Sequence, residues 1–167
     1  MTILFQPKFF GAAIVAIIAG CSRYSVSINQ NVVYEPPTLF SQYELADAAL
    51  KECVRSTIAE KGLTKAEQLT QLICAPGNIL DLTGIEVFAY IQHLGLSKNN
   101  IENIDTLEKL PRLQQLQISH NHVKDFSVLK HLDKLVFVNS DGNNEAACSS
   151  LELPQTSIEQ VLPKHCR

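Results

Sequence analysis

Two clusters in this sequence have residue types able to do chemistry. His120-Asn121-His122 sets two imidazoles around an amide, a pattern that could ligate a metal or serve a nuclease. Cys148, His165 and Cys166 offer two thiols and an imidazole near the C-terminus, a set that would suit zinc. Neither cluster has the spacing its chemistry needs. No third ligand lies near the histidine pair in sequence, adjacent His-Cys is poor ligand spacing, and there is no Cys-x-x-Cys. A P-loop, a G-x-G-x-x-G and a G-x-S-x-G are all missing. The expectation is a chain with no catalytic residue, no metal and no cofactor, and hence not an enzyme. A formal net charge of −3 with no Lys/Arg cluster also argues against nucleic acid and against a polybasic membrane contact.

The cysteines point elsewhere. There are five, an odd number, and Cys21 stands apart from the rest. It follows a segment whose single charge is Lys8 and whose run from Phe9 to Ala19 carries none. That run is too short to span a bilayer, which takes about 20 apolar residues, and it has the size of a secretory signal. Ile18-Ala19-Gly20-Cys21 resembles the lipobox of bacterial lipoproteins: an aliphatic residue, two small residues and a cysteine. The resemblance implies that residues 1–20 are a cleaved signal peptide. It also implies that the Cys21 thiol and the new amine carry acyl chains such as palmitate. Two or more chains anchor a protein stably to a bilayer, whereas one does so only weakly. Ser22, where an aspartate would resemble an inner-membrane retention signal, favours the outer membrane of the cell envelope.

Cys53, Cys74, Cys148 and Cys166 remain, an even number in an exported chain, which suggests disulfides. Four cysteines allow three connectivities, and the sequence alone does not choose among them. Pairing Cys53 with Cys74 and Cys148 with Cys166 would close two short loops.

Behind these residues lies a repeat. Leu69, Ile91, Leu113 and Leu135 recur every 22 residues. The columns Leu72/Leu94/Leu116/Val138 and Cys74/Leu96/Ile118/Ser140 follow, then Gly77/Asn99/Asn121/Asn143 and Ile79/Ile101/Val123. Further along come Leu82/Ile104/Phe126, Ile85/Leu107/Leu129 and Phe88/Leu110/Leu132. The pattern L-x-x-L-x-L-x-x-N at this period is the signature of leucine-rich repeats. Its length and its I-x-x-L-x-x-L tail resemble the internalin-like subclass. The expected fold is an α/β solenoid: a short leucine-rich-repeat domain with parallel β-strands on its concave face and a cap at each end. The column asparagines would satisfy backbone groups of the inward turn. This explains Asn121 and leaves His120 and His122 on a solvated turn. Asp81, Asn103 and Asp125 share another column, where they would make local turn hydrogen bonds.

The organisation expected is a tether over residues 21–38, a helical N-terminal cap over 39–68, repeats over 69–144 and a C-terminal cap over 145–167. In the first cap Leu50, Cys53, Val54 and Ile58 recur at helical spacing, with Asp47 as N-cap and Gly62 as terminator. Ser41 with Glu44 offers an earlier capping box, and Thr64 with Glu67 a later one. The string "ADAALKECV" to "LTQLIC" resembles the N-terminal cap of small bacterial leucine-rich-repeat lipoproteins, which implies Cys53–Cys74. Cys148–Cys166 would then staple the other end. Residues 22–37 show no helical period and end in Pro36-Pro37. They would either extend as a tether of at most about 55 Å or pack along the domain.

Outward positions of the strands define a candidate binding face. It comprises His93, Gly95, Ser97, Gln115, Gln117, Ser119, Phe137, Asn139 and Asp141, in columns begun by Gln71, Ile73 and Ala75. Phe137 is its one aromatic anchor. The function expected is a monomeric, lipid-anchored envelope protein that binds another envelope or extracellular protein through this face. The alternative is a structural or accessory envelope lipoprotein without a dedicated concave-face ligand.

Overall fold

The computed structural model describes residues 26–28, 31–34, 37–153 and 158–167. The signal segment and Cys21 lie outside the described residues. Contacts divide the chain into two units, Met1–Pro36 and Pro37–Arg167. Within the first, β1 (Val26–Ile28) pairs antiparallel with β2 (Asn31–Tyr34). The stretch read as a tether therefore contains a short strand pair, with Ser27 opposite Val32 and a register shift beside Val26.

The second unit is built on the 22-residue period. Strands β3 (Gln71–Ile73), β4 (His93–Gly95), β5 (Gln115–Gln117), β6 (Phe137–Asn139) and β7 (Glu159–Val161) form one parallel sheet in sequence order. Leu72 pairs with Leu94, Leu94 with Leu116, and Leu116 with Val138, so each column becomes a stack. These side chains are buried with the other apolar columns, down to Phe88, Leu110 and Leu132. Burying each such side chain stabilises the fold by about 1.5–3 kcal/mol. Opposite the strands the chain makes short 3-10 turns, Ile85–Phe88, Asp105–Lys109 and Ser127–His131.

Helix α1 (Ala48–Lys61) caps the first coil by burying Leu50, Val54 and Ile58. Asp47 is its N-cap, accepting from Leu50 N–H at 2.9 Å, and Gly62 closes it at φ 62°. The second carboxylate oxygen of Asp47 accepts from Leu80 N–H at 2.9 Å, tying the cap to the first coil. Phe40, Tyr43 and Phe88 pack together beside it, with ring centroids 5.4–6.1 Å apart.

Two capping details differ from expectation. Residues 41–45 are not helical, so Ser41 and Glu44 form no capping box; Glu44 pairs with Lys51 instead, at 3.3 Å. The later box is closed by Gln68 rather than Glu67. Gln68 Oε1 accepts from the amides of Thr64 at 2.7 Å and Lys65 at 3.0 Å, because the 3-10 turn there begins at Ala66. Cys53 is joined to Cys74 with Cα atoms 5.8 Å apart, and Cys148 to Cys166 with Cα atoms 5.3 Å apart.

The C-terminal region departs from a simple lid. Strand β7 lies one full period after β6, with Glu159 opposite Phe137 and Gln160 opposite Val138. The sheet thus extends one strand into the segment read only as a cap. Ser140, polar in a core column, donates its hydroxyl to Val161 O at 3.2 Å. Gln160 occupies the column of Leu72, Leu94, Leu116 and Val138, and among the described residues its buried Oε1 has no hydrogen-bond partner.

Candidate binding face

The asparagine column holds the strands at the turn that follows them. Asn99 Oδ1 accepts from Ile79 N–H at 3.1 Å, and its Nδ2 donates to Cys74 O at 2.8 Å and Leu96 O at 2.9 Å. Asn121 repeats this with Ile101 N–H, Leu96 O and Ile118 O, and Asn143 with Val123 N–H, Ile118 O and Ser140 O. Each amide therefore stitches its own coil to the one before it. Gly77 stands where this column begins, and a Cβ there would lie 2.7 Å from Asn99 Oδ1. The close approach leaves no room for a side chain.

Residues just ahead of the asparagines turn the chain inward through left-handed backbone: Lys98 at φ 60°, His120 at φ 55° and Gly142 at φ 75°. His120 is exposed, with its ring over Gly142, where a Cβ would lie 2.4 Å from Nδ1. His122 is exposed on the next turn, and Asn121 between them faces the interior. On the far side, Asp81 accepts from Thr83 N–H, Asn103 from Asp105 N–H and Asp125 from Ser127 N–H, at 2.7–2.8 Å. The Ser127 hydroxyl, then its amide, hold the Asp125 carboxyl below the usual range. These are turn bonds, as the column suggested. Among the described residues one trio of potential metal ligands gathers, Cys148, His165 and Cys166. Its two sulfurs are bonded to each other, and His165 Nε2 lies 2.9 Å from Ala146 O.

On the strand face the candidate residues sort by what they touch. Gln115 and Gln117 are exposed, while His93, Phe137 and Asn139 are half-buried. Gly95 is buried and offers no side chain; Ile73 lies across it, with Cγ2 3.3 Å from where a Cβ would stand. In the third column Ser119 Oγ donates to Ser97 Oγ at 2.9 Å, and Arg167 pairs with Asp141 at 3.1 Å. These groups already have partners. Columns one and two instead line a small hollow of about 80 Å³, bounded by Gln71, Ile73, His93, Gly95, Gln115 and Gln117. Ile73 is 62% exposed and Val136, just ahead of Phe137, is 49% exposed. Gln71 and Ile73 were not among the candidate contacts. The signal available was the missing side chain at Gly95, which uncovers its neighbour in the same column.

Residues 91–131 match a family model for leucine-rich repeats in two copies. No curated protein matches the chain. Among solved structures it is similar to an internalin, inlF, of Listeria monocytogenes, at TM-score 0.60 and 26% identity over 71% of this chain and 36% of that one. It is also similar to internalin C2 of the same organism, at TM-score 0.53 and 19% identity over 59% of this chain and 46% of that one. The chain thus spans less than half the length of either neighbour. The fold is a leucine-rich-repeat solenoid with an open parallel sheet and an N-terminal helical cap.

Proposed function

We propose that this is a bacterial envelope lipoprotein, anchored through acyl chains on Cys21, that binds another protein through its strand face. The observation carrying the recognition half is the hollow formed by Ile73, Gly95 and the glutamines, the part of the face whose polar groups are not already paired with one another. An isoleucine beside amide groups is a surface that excludes water at its centre and hydrogen-bonds at its rim, as protein interfaces do. The leucine-rich-repeat match and the likeness to the inlF internalin support a binding rather than a catalytic reading. The lipid half rests on Ile18-Ala19-Gly20-Cys21.

A photoreactive residue at Gln117, with a control at Asp125 on the far side, tests recognition in the cell. A partner captured at Gln117 alone is the expected outcome, and equal or absent capture at both positions would refute it. Cys21→Ser should accumulate uncleaved precursor that takes up no labelled fatty acid. Normal processing of that variant would refute the anchor. A second reading, an accessory envelope role without a strand-face ligand, is favoured by the self-satisfied third column, Ser97 with Ser119 and Asp141 with Arg167.

A further inference from the structure

Gly95 is a glycine that its backbone does not require. It ends β4, opposite Ile73 of β3 and Gln117 of β5. Among the described residues the glycines with left-handed backbone are Gly62, Gly84 and Gly142, and Gly95 is not one of them. Nor does packing forbid a side chain, as it does at Gly77. The nearest atoms to a Cβ at Gly95 belong to Ile73, at 3.3–3.6 Å, and that side chain is mostly exposed and free to swing aside. A glycine inside a strand weakens it and often marks a place where a ligand approaches the backbone closely.

The glycine leaves a gap in a column that is otherwise filled, by Ile73, Gln117 and Asn139. Ile73 and Gln117 stand two strand spacings apart, about 9–10 Å, which leaves the width of one side chain between them. The hollow there measures about 80 Å³. A cavity of about 150 Å³ takes a benzene molecule, so this one is too small for an aromatic ring and suits a branched aliphatic group. None of the residues lining it is Asp, Glu, Lys or Arg, so a charge entering it would lose water and gain no partner. Ile73 supplies an apolar wall, while Gln71, Gln115, Gln117 and His93 supply donors and acceptors around it.

We propose that the gap over Gly95 seats one branched aliphatic side chain, valine, leucine or isoleucine, carried on an uncharged loop of the partner protein. This rests on the reading of the strand face as a binding surface and names what that surface selects. The partner completes the column by supplying the side chain that residue 95 lacks. Its methyl groups meet Ile73 and the Gly95 backbone, and the peptide groups beside it bond to the glutamine amides at the rim.

The test selects a displayed library of random nine-residue loops, each closed on a rigid scaffold, against the purified full chain with its disulfides formed. Enriched loops should share one valine, leucine or isoleucine with no charged neighbour. Changing that residue to alanine, phenylalanine or aspartate should weaken binding about tenfold or more. On the chain, Gly95→Leu fills the gap and should remove binding. Gly95→Ala fills less of it and should weaken binding severalfold, and both variants should keep the wild-type circular dichroism spectrum. Asp141→Ala, outside the gap, should bind as wild type does. Aromatic or charged residues at the shared loop position, equal binding by wild type and both Gly95 variants, or no enriched loop at all would each overturn the proposal. The strand-face reading is decided separately, by capture at Gln117 in the cell: a partner captured alike with and without Gly95→Leu would leave that reading standing and the gap refuted.

Discussion

Replacing Asn121 by alanine should cost more stability than any exposed substitution on the strand face, and the hydrogen bonds give its size. The side chain is 3% exposed. Ile101 N–H has Asn121 Oδ1 as its acceptor at 3.0 Å, so truncation strands a buried donor at about 1–3 kcal/mol. Two carbonyls lose less. Leu96 O also accepts from Asn99 Nδ2, and Ile118 O from Asn143 Nδ2, so each keeps one bond and forfeits about 1 kcal/mol. The sum is about 3–5 kcal/mol, a large share of the 5–15 kcal/mol typical of a domain. The chain has no tryptophan, so the assay is urea unfolding followed by far-UV circular dichroism with disulfides intact. Asn143→Ala should cost about as much, because it strands Val123 N–H in the same way while Ile118 O keeps Asn121 Nδ2 and Ser140 O keeps the Asn143 amide at 3.3 Å. Asn121→Asp keeps the acceptor for Ile101 but turns a charge toward two carbonyls, so it should be less damaging at acid pH, where it protonates, than at neutral pH. A loss below about 1 kcal/mol for Asn121→Ala, at unchanged m-value, would refute the claim that the ladder holds the coils together.

Four other outcomes follow. Gln160→Leu should raise stability by about 1 kcal/mol in the same titration, since it removes a buried unpaired oxygen from an apolar column. Burial works against ionisation of Asp47, but the amides of Leu80, Leu50, Asp81 and Ala49 outweigh it and hold its carboxyl below the ordinary range. Its contribution is therefore complete above the unfolded value of about 3.9 and is lost as pH falls through the lower folded value; Asp47→Asn should flatten the acid limb of a stability profile. Replacing Cys53 and Cys74 together by serine should cost about 3 kcal/mol by urea titration, for a bridge across 21 residues of sequence. Ile73→Ala should leave the melting temperature within about 3 °C of wild type, because the side chain is mostly exposed.

Much of the fold is legible because the period is enforced by contact. A residue 22 positions on lies directly above its predecessor, so Leu72, Leu94 and Leu116 must all suit one stack. Asp47 and Gly62 are legible because each meets a geometric demand at a helix end: a side-chain acceptor at one, left-handed backbone at the other. Gln68 in place of Glu67 is not, because a one-residue shift of a 3-10 turn exchanges two neighbours that can both accept. The strand-face contacts are the least legible. Hydrophobic periodicity says which residues point outward but not which of them pair among themselves, as Ser97 does with Ser119 and Asp141 with Arg167.

Strand β7 escapes the pattern for a physical reason that also says what it does. Stacking two apolar columns requires apolar residues on both faces of the joint. Across the joint between β6 and β7 each of two columns carries one polar residue: Gln160 lies opposite Val138, and Ser140 stands 22 residues before Leu162. An apolar edge strand there would present a template for further coils or for other chains. With a hydroxyl bonded to Val161 O and an amide in the core column, the last coil still pairs backbone to backbone but offers little to a sixth. The Cys148–Cys166 bridge and the Arg167–Asp141 pair then hold the strand where apolar packing is thin. The loss of periodicity that hides β7 in the sequence thus lies in Ser140 and Gln160, and Gln160→Leu should restore apolar character to the column of Leu72, Leu94, Leu116 and Val138.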